Sequence, residues 1–200
     1  MKRTVAILVF DDVEVLDFAG PFEVFSVTKD AADRELFAVH TVGVTPGTIR
    51  ARNGLKLVPA HTLESVPQPD LLIVPGGYGT RALLSQPSVI DWIRRKAPKA
   101  ELVASVCTGS LLLAKAGLLA GQPATTHYKC FDQLRAIEPT ATVREDVRFT
   151  DHGPVLTAAG ISAGIDLSLH LVARLHGAET ARRTAQYMEY HWTNDNGARR

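Results

Sequence analysis

The sequence predicts an α/β fold: a mostly parallel central sheet with helices on both faces, a three-layer sandwich containing a strand-to-helix nucleophile elbow. Three observations carry this prediction. Short apolar runs rich in β-branched residues recur along the chain, as strands buried on both faces require. Segments of helical periodicity alternate with them. One apolar run ends at Cys107, and a helical run starts at the very next residue.

The elements follow in order. Thr4 to Phe10 is a nearly continuous apolar strand, closed by Asp11-Asp12. Gly20-Pro21 opens a helix whose apolar side is Phe22, Val24, Phe25 and Val27, with Pro21 where a missing N–H is tolerated. Leu36 to Val42 is the next strand, and Arg50 to Pro59 is a hairpin around the turn pair Asn53-Gly54. Asp70 to Pro75 is a buried strand that runs into the loop Gly76 to Gly79, and Pro87 to Lys96 is a polar-faced helix. Glu101 to Val106 leads to Cys107 and to a helix stopped by Gly117. Ala124 to His127 is a short strand, Lys129 to Ile137 a helix, and Val143 to Glu145 and Val147 to Thr150 two short strands. Val155 to Ala158 is the last core strand, followed by helices Ile161 to His176 and Ala178 to Tyr190. Repeats, low-complexity tracts and linkers are absent, so one domain over residues 1–200 is expected.

Composition narrows the function classes. A hydrophobic fraction of 46% and a charged fraction of 22% are those of a soluble globular protein. A net charge of +1 points to neither nucleic acid nor an anionic membrane as partner, and Arg199-Arg200 reads as a solvated tail. The two cysteines, Cys107 and Cys130, make no disulfide scaffold and no zinc spacing. The N-terminal apolar run is too short for a signal segment, and no run approaches a membrane span. The expectation is a reduced, cytoplasmic protein.

In a sheet of this type ligands lie outside the carboxyl ends of the strands. The Asp11 to Asp17 loop, the Gly76 to Gly79 loop and Cys107-Thr108 all follow strands, so all three are expected at one edge. Cys107 on a sharp turn at a helix N-terminus is the thiol counterpart of a serine elbow, and the helix end favours thiolate there. The plain alternative is a small core hydrophobe, against which the small flanking residues Ser105, Thr108, Gly109 and Ser110 argue for a tight turn. Gly76-Gly77 lacks the third glycine of a dinucleotide fingerprint; the N–H groups of Gly77 and Thr108 suit an oxyanion instead. Asp17 reads either as a helix N-cap or as a partly desolvated acid/base of raised pKa. Asp11, Asp12 and Glu14 are the solvated competitors. Of seven histidines, His127 is the one placed to approach the thiol edge, with a structural histidine as its alternative. His127 and Cys130 make two possible metal ligands, which is not a site.

Together these pieces resemble the ThiJ/PfpI superfamily, with its class I glutamine amidotransferase-like, flavodoxin-like fold. The likeness rests on Leu16-Asp17-Phe18-Ala19-Gly20-Pro21, Val74-Pro75-Gly76-Gly77, Ser105-Val106-Cys107-Thr108-Gly109-Ser110, Ala124-Thr125-Thr126-His127 and Gly160-Ile161-Ser162-Ala163-Gly164-Ile165-Asp166. It spans roughly Val5 to Tyr190 and is greatest toward the isonitrile hydratase branch and the N-terminal domains of AraC-type regulators. The resemblance implies a nucleophilic Cys107 and an acidic partner at Asp17, with Thr108 orienting that acid. It also implies Gly76, Gly77, Thr108, His127 and Ile161 as oxyanion or substrate contacts. Thr108 stands where the protease-like branch has histidine, which argues against a Cys-His peptidase. The implied activity is hydration of a small electrophile such as an isocyanide, in a homodimer without cofactor or metal. A glyoxal-type aldehyde as substrate and a thiol-based sensor are the other implied uses. AraC-type regulators carry a helix-turn-helix segment further along. With the sequence ending at Arg200, no such segment and no nucleic-acid partner are expected.

Overall fold

Seven strands form the central sheet of the computed structural model, which describes residues 2–193. In chain order the elements are β1 (Arg3–Val9), α1 (Val15–Val27), β2 (Phe37–Gly43), β3 (Ile49–Arg50), β4 (Lys56–Leu57), β5 (His61–Thr62), β6 (Leu71–Val74), α2 (Thr80–Leu83) and α3 (Pro87–Lys96). There follow β7 (Leu102–Val106), α4 (Gly109–Lys115), β8 (Pro123–Ala124), α5 (Phe131–Ile137), β9 (Thr142–Val143), β10 (Phe149–Asp151), β11 (Val155–Ala158), α6 (Ala163–His176) and α7 (Ala178–Tyr187). The sheet runs β10-β11-β7-β6-β1-β2-β5. All neighbours are parallel except the antiparallel pair β10 and β11. The five long parallel strands therefore lie in the flavodoxin-type order 2-1-3-4-5.

Consecutive strand residues face opposite sides of a sheet, so the unbroken burial of Val5 to Val9 and of all of β6 and β7 means that both faces are covered. Helices α1, α6 and α7 pack on one another as one layer, and α2, α3 and α5 gather around α4 as the other. In α3 the buried side is Val89, Ile90, Trp92 and Ile93, and the Trp92 indole N–H donates to Leu63 O at 2.9 Å. The chain enters α1 from β1 and the opposite layer from β6, two neighbouring strands. The crevice between those exits is the switch point at which such sheets bind ligands.

Several boundaries differ from the sequence-based expectation. Helix α1 begins at Val15, so Gly20-Pro21 lies inside it and Glu14 is its N-cap. Pro21 has no N–H for the Asp17 carbonyl one turn earlier, a loss accepted within a helix that is held by packing on α6. The segment Thr125 to His127 is not strand, because side chains take its bonds: Thr125 N–H donates to Thr157 Oγ1 at 2.7 Å, and Thr126 Oγ1 to Cys107 O at 2.9 Å. Helix α5 starts only at Phe131, after a single 3₁₀ turn over Tyr128–Cys130. Helix α6 starts at Ala163, and Ile161 precedes it with φ +55°. Strand β5 and helix α2 have no counterpart in the expectation; at two and four residues they are too short for a periodicity to register. The Asn53-Gly54 hairpin is present as β3 and β4. Among the described residues no helix is long and apolar enough to cross a membrane. Arg199-Arg200 lies outside the described residues.

Candidate active site

The site is built on one strained residue. Cys107 follows the last residue of β7 with φ +56°, left-handed backbone that costs a non-glycine residue about 1–2 kcal/mol. Hydrogen bonds from both sides of its backbone hold it there. Its N–H is shared between Ala158 O at 3.1 Å and Ala159 O at 2.9 Å, at the end of the neighbouring β11. Its carbonyl accepts from Thr126 Oγ1 at 2.9 Å and Ser110 Oγ at 3.1 Å. The thiol is thereby turned out at the carboxyl edge of the sheet, and the residue is only 6% exposed.

The β6 exit fits against this elbow backbone to backbone. A Cβ on Gly76 would lie 2.4 Å from Thr108 N and 2.6 Å from Thr108 Oγ1. One on Gly109 would lie 1.9 Å from Val74 O. Neither position admits a side chain, which is why glycines stand at both.

Asp17 enters from the first turn of α1, fully buried. Its Oδ2 accepts from the Gly76 N–H at 2.9 Å, while Oδ1 has no partner at full hydrogen-bond geometry. The residue is therefore not a helix cap. Burial, and next to it the nearby charge of Glu14, raise its pKa from 3.8 to about 7. The Gly76 N–H, the Cys107 thiol and the Ile161 N–H oppose that rise. The thiol is pushed up as well, by burial first and then by the negative charge of Asp17; the Thr108 N–H beside the sulfur only partly offsets this. The expectation that the helix end favours a resting thiolate is thus overturned. Helix α4 is only seven residues long, and desolvation outweighs its N-terminus. The pair rests as a protonated thiol beside a carboxyl group that titrates near neutrality.

Thr108 does not orient Asp17. Its Oγ1 accepts from the Gly77 N–H at 2.9 Å, sits 3.2 Å from Gly77 O and accepts from Thr80 Oγ1 at 3.2 Å. The Gly77 N–H expected to face an oxyanion is thus occupied, leaving the Thr108 N–H directed at the sulfur. Gly77 O also accepts from Thr80 Oγ1 at 2.7 Å and Arg81 Nη1 at 3.0 Å. The loop is pinned to the elbow through both the N–H and the carbonyl of Gly77.

Ile161 also approaches the carboxyl group. A β-branched residue at φ +55° is a backbone outlier, and this conformation brings its N–H toward Asp17 while its side chain stays 38% exposed. His127 packs beside it, since a Cβ on Gly160 would lie 2.5 Å from His127 Cδ2. His127 Nδ1 accepts from Lys129 N at 3.3 Å, and its ring stacks on Tyr128 at 4.6 Å between centroids. The structure thus brings Cys107, Asp17, Thr108, Gly76, Gly77 and Ile161 together, with His127 at the rim. The roles of Thr126, Ser110, Thr80 and Arg81 were missed. Thr126 and Ser110 stood inside quoted motifs, and only their partners give them meaning. Among the described residues no group of three His, Cys, Asp or Glu could hold a metal.

Comparison with known proteins matches residues 3–174 to the DJ-1/PfpI family. Isonitrile hydratase of Pseudomonas putida is 37% identical over 190 residues, covering 95% of this chain and 79% of the relative. The HTH-type transcriptional regulator CdhR of Pseudomonas aeruginosa is 30% identical over 90% of this chain, which spans only 53% of the regulator's length. Among solved structures, a ThiJ/PfpI family protein from Pseudomonas syringae superposes with a TM-score of 0.86 at 29% identity, over 98% of this chain and 78% of that one.

Proposed function

The chain belongs to the DJ-1/PfpI family, and on that premise we propose that it is a cysteine-dependent hydratase of small electrophiles, isocyanides first among them. The observation that carries this reading is the buried pairing of the Cys107 thiol with a carboxyl group of pKa about 7. A base of that strength matches proton transfer at neutral pH. The 37% identity to a relative named for this reaction supports the same choice.

The mechanism runs in balanced steps. Asp17 carboxylate takes the thiol proton as sulfur bonds to the terminal carbon of R–NC, and then returns that proton to the same carbon. The result is a thioimidate, Cys107–S–CH=N–R. Asp17 next takes a proton from water as its oxygen bonds to the carbon, and that proton passes to nitrogen. The tetrahedral adduct collapses to the formamide R–NH–CHO, expelling sulfur, and the hydroxyl proton returns through Asp17 to the thiol. Splitting the addition in two is the advantage of covalent catalysis. The Thr108 N–H supports the developing charge on sulfur. Gly76 and Gly77 hold Asp17 and Thr108, and Ile161 and His127 wall the substrate space. Nucleophile and base are both side chains, so the scheme uses no cofactor. A cytoplasmic homodimer completes the reading, with a second copy covering the exposed apolar Leu16 beside Asp17.

The test is formamide production from an alkyl isocyanide by wild type and by Cys107→Ala. The variant is expected to lose turnover by at least about a thousandfold; undiminished hydration contradicts the mechanism. Parallel assay of methylglyoxal separates this from aldehyde chemistry at the same thiol.

A further inference from the structure

The carboxyl edge of the sheet also carries a cluster that the hydration chemistry leaves unused. Tyr78 directly follows Gly76-Gly77 and is 61% exposed. The Arg52 guanidinium carbon lies 3.8 Å from the centre of its ring, and that of Arg81 5.3 Å. Arg81 reaches inward as well. Its Nη1 donates to Gly77 O at 3.0 Å and its Nη2 to Cys130 Sγ at 3.4 Å. Gly77 belongs to the loop pinned on Thr108, and Cys130 closes the turn that follows Thr126, whose hydroxyl holds the Cys107 carbonyl. Arg81 therefore spans the two walls on either side of the elbow.

These two arginines differ in their partners from most arginines of the chain. Arg3, Arg34, Arg148 and Arg174 each rest on a carboxylate. Arg81 instead donates to a carbonyl, to the Thr80 hydroxyl at 3.4 Å and to a sulfur, and Arg52 lies on an aromatic face. Neither has a carboxylate at salt-bridge distance among the described residues. A guanidinium has five N–H donors in a planar fork that matches a carboxylate in two-point contact, and the contacts of Arg81 leave part of that fork unused.

From this arrangement we infer that Arg81 and Arg52 form a receptor for a carboxylate on the substrate, so that the electrophile reaching Cys107 is a small organic anion held at the rim. The inference rests on Cys107 as the reacting thiol, and not on isocyanides as its target. The two positive charges draw the anion in against the repulsion of Asp17 and Glu14. Tyr78 gathers both arginines on one ring, directly after the Gly76-Gly77 loop that packs on the elbow.

Iodoacetate and iodoacetamide are near-isosteric thiol reagents that differ by one negative charge. Their rates of alkylating Cys107, followed by peptide mass spectrometry, give a ratio that reads the charge at the rim. In Arg81→Gln the iodoacetate-to-iodoacetamide ratio is expected to fall about fivefold. Arg81→Lys restores most of it, Arg52→Gln lowers it less, and salt near 1 M brings wild type toward the Arg81→Gln value. A purely structural role for Arg81 shifts both reagents together and leaves the ratio unchanged, which overturns the proposal. Should Arg81→Gln fail to fold, an unchanged ratio in Arg52→Gln and an absent salt effect in wild type overturn it equally. Alkylation does not depend on hydration, so failure to hydrate isocyanides contradicts the proposed function and leaves this inference standing.

Discussion

The two ends of the central sheet treat their carboxyl groups in opposite ways. At the amino end, Glu101 sits just before β7 with Arg3 Nε 2.7 Å away, and that contact holds its pKa below the usual value. At the carboxyl end, Asp17 is buried with backbone amides and a thiol for company, and its pKa rises to about 7. One end uses a charge pair to fasten the sheet. The other keeps an acid close to its titration point, at a cost in stability that a merely structural residue does not carry. A site and a fastening are distinguished here by what surrounds the same functional group.

Asp17→Asn breaks the comparison most strongly. Asparagine still accepts from the Gly76 N–H but cannot take the thiol proton. Turnover is expected to fall about 10²–10⁴-fold in steady-state assays. Stability is expected to move the other way. A carboxyl group whose folded pKa is raised makes the wild type lose stability as pH climbs from about 4 through about 7, a loss of up to about 4 kcal/mol. Denaturant midpoints at pH 5 and pH 8 should therefore differ in wild type and converge in the variant, which gains about 1–3 kcal/mol at pH 8. A variant less stable than wild type at pH 8 contradicts the burial argument.

Thr108→Val is next in size. It leaves the buried Gly77 N–H without its acceptor, a cost of about 1–3 kcal/mol. Thr108→Ser keeps the oxygen and should recover most of that in thermal unfolding. At the other end, Glu101→Gln removes a half-exposed ion pair worth at most about 1 kcal/mol. Its pH dependence has the opposite sign to that of Asp17. Because the folded pKa of Glu101 is lowered, its contribution is present above the ordinary glutamate pKa and is lost as pH falls through the folded value. Turnover by Glu101→Gln should match wild type; a marked loss means that the two ends are coupled.

How far the sequence reached follows the same division. Long buried strands such as β1 and β7 were legible because both faces are apolar and the run is unbroken. The elbow was legible because small residues crowd Cys107. Asp17 as the partner of Cys107 was legible only through the family resemblance; spacing alone left it equally a helix cap, since ninety positions separate the two and only the sheet order joins their loops. The reversed sign of the thiol's pKa shift had the same origin: a helix end is visible in sequence, whereas the depth of burial over it is not. Thr108 was placed on the wrong partner because Gly77 competes for its hydroxyl, and that proximity exists only where Gly76 and Gly109 let two backbones touch. Strand β5 and helix α2 are too short to leave a pattern.

Asp17 exchanges its proton near neutral pH with the thiol beside it. Carboxyl ¹³C NMR of aspartate-labelled protein, with the Asp17 signal assigned by its loss in Asp17→Asn, tests this directly. Titration with a midpoint of about 7 is the result expected; titration at the ordinary aspartate value, near 4, contradicts the account.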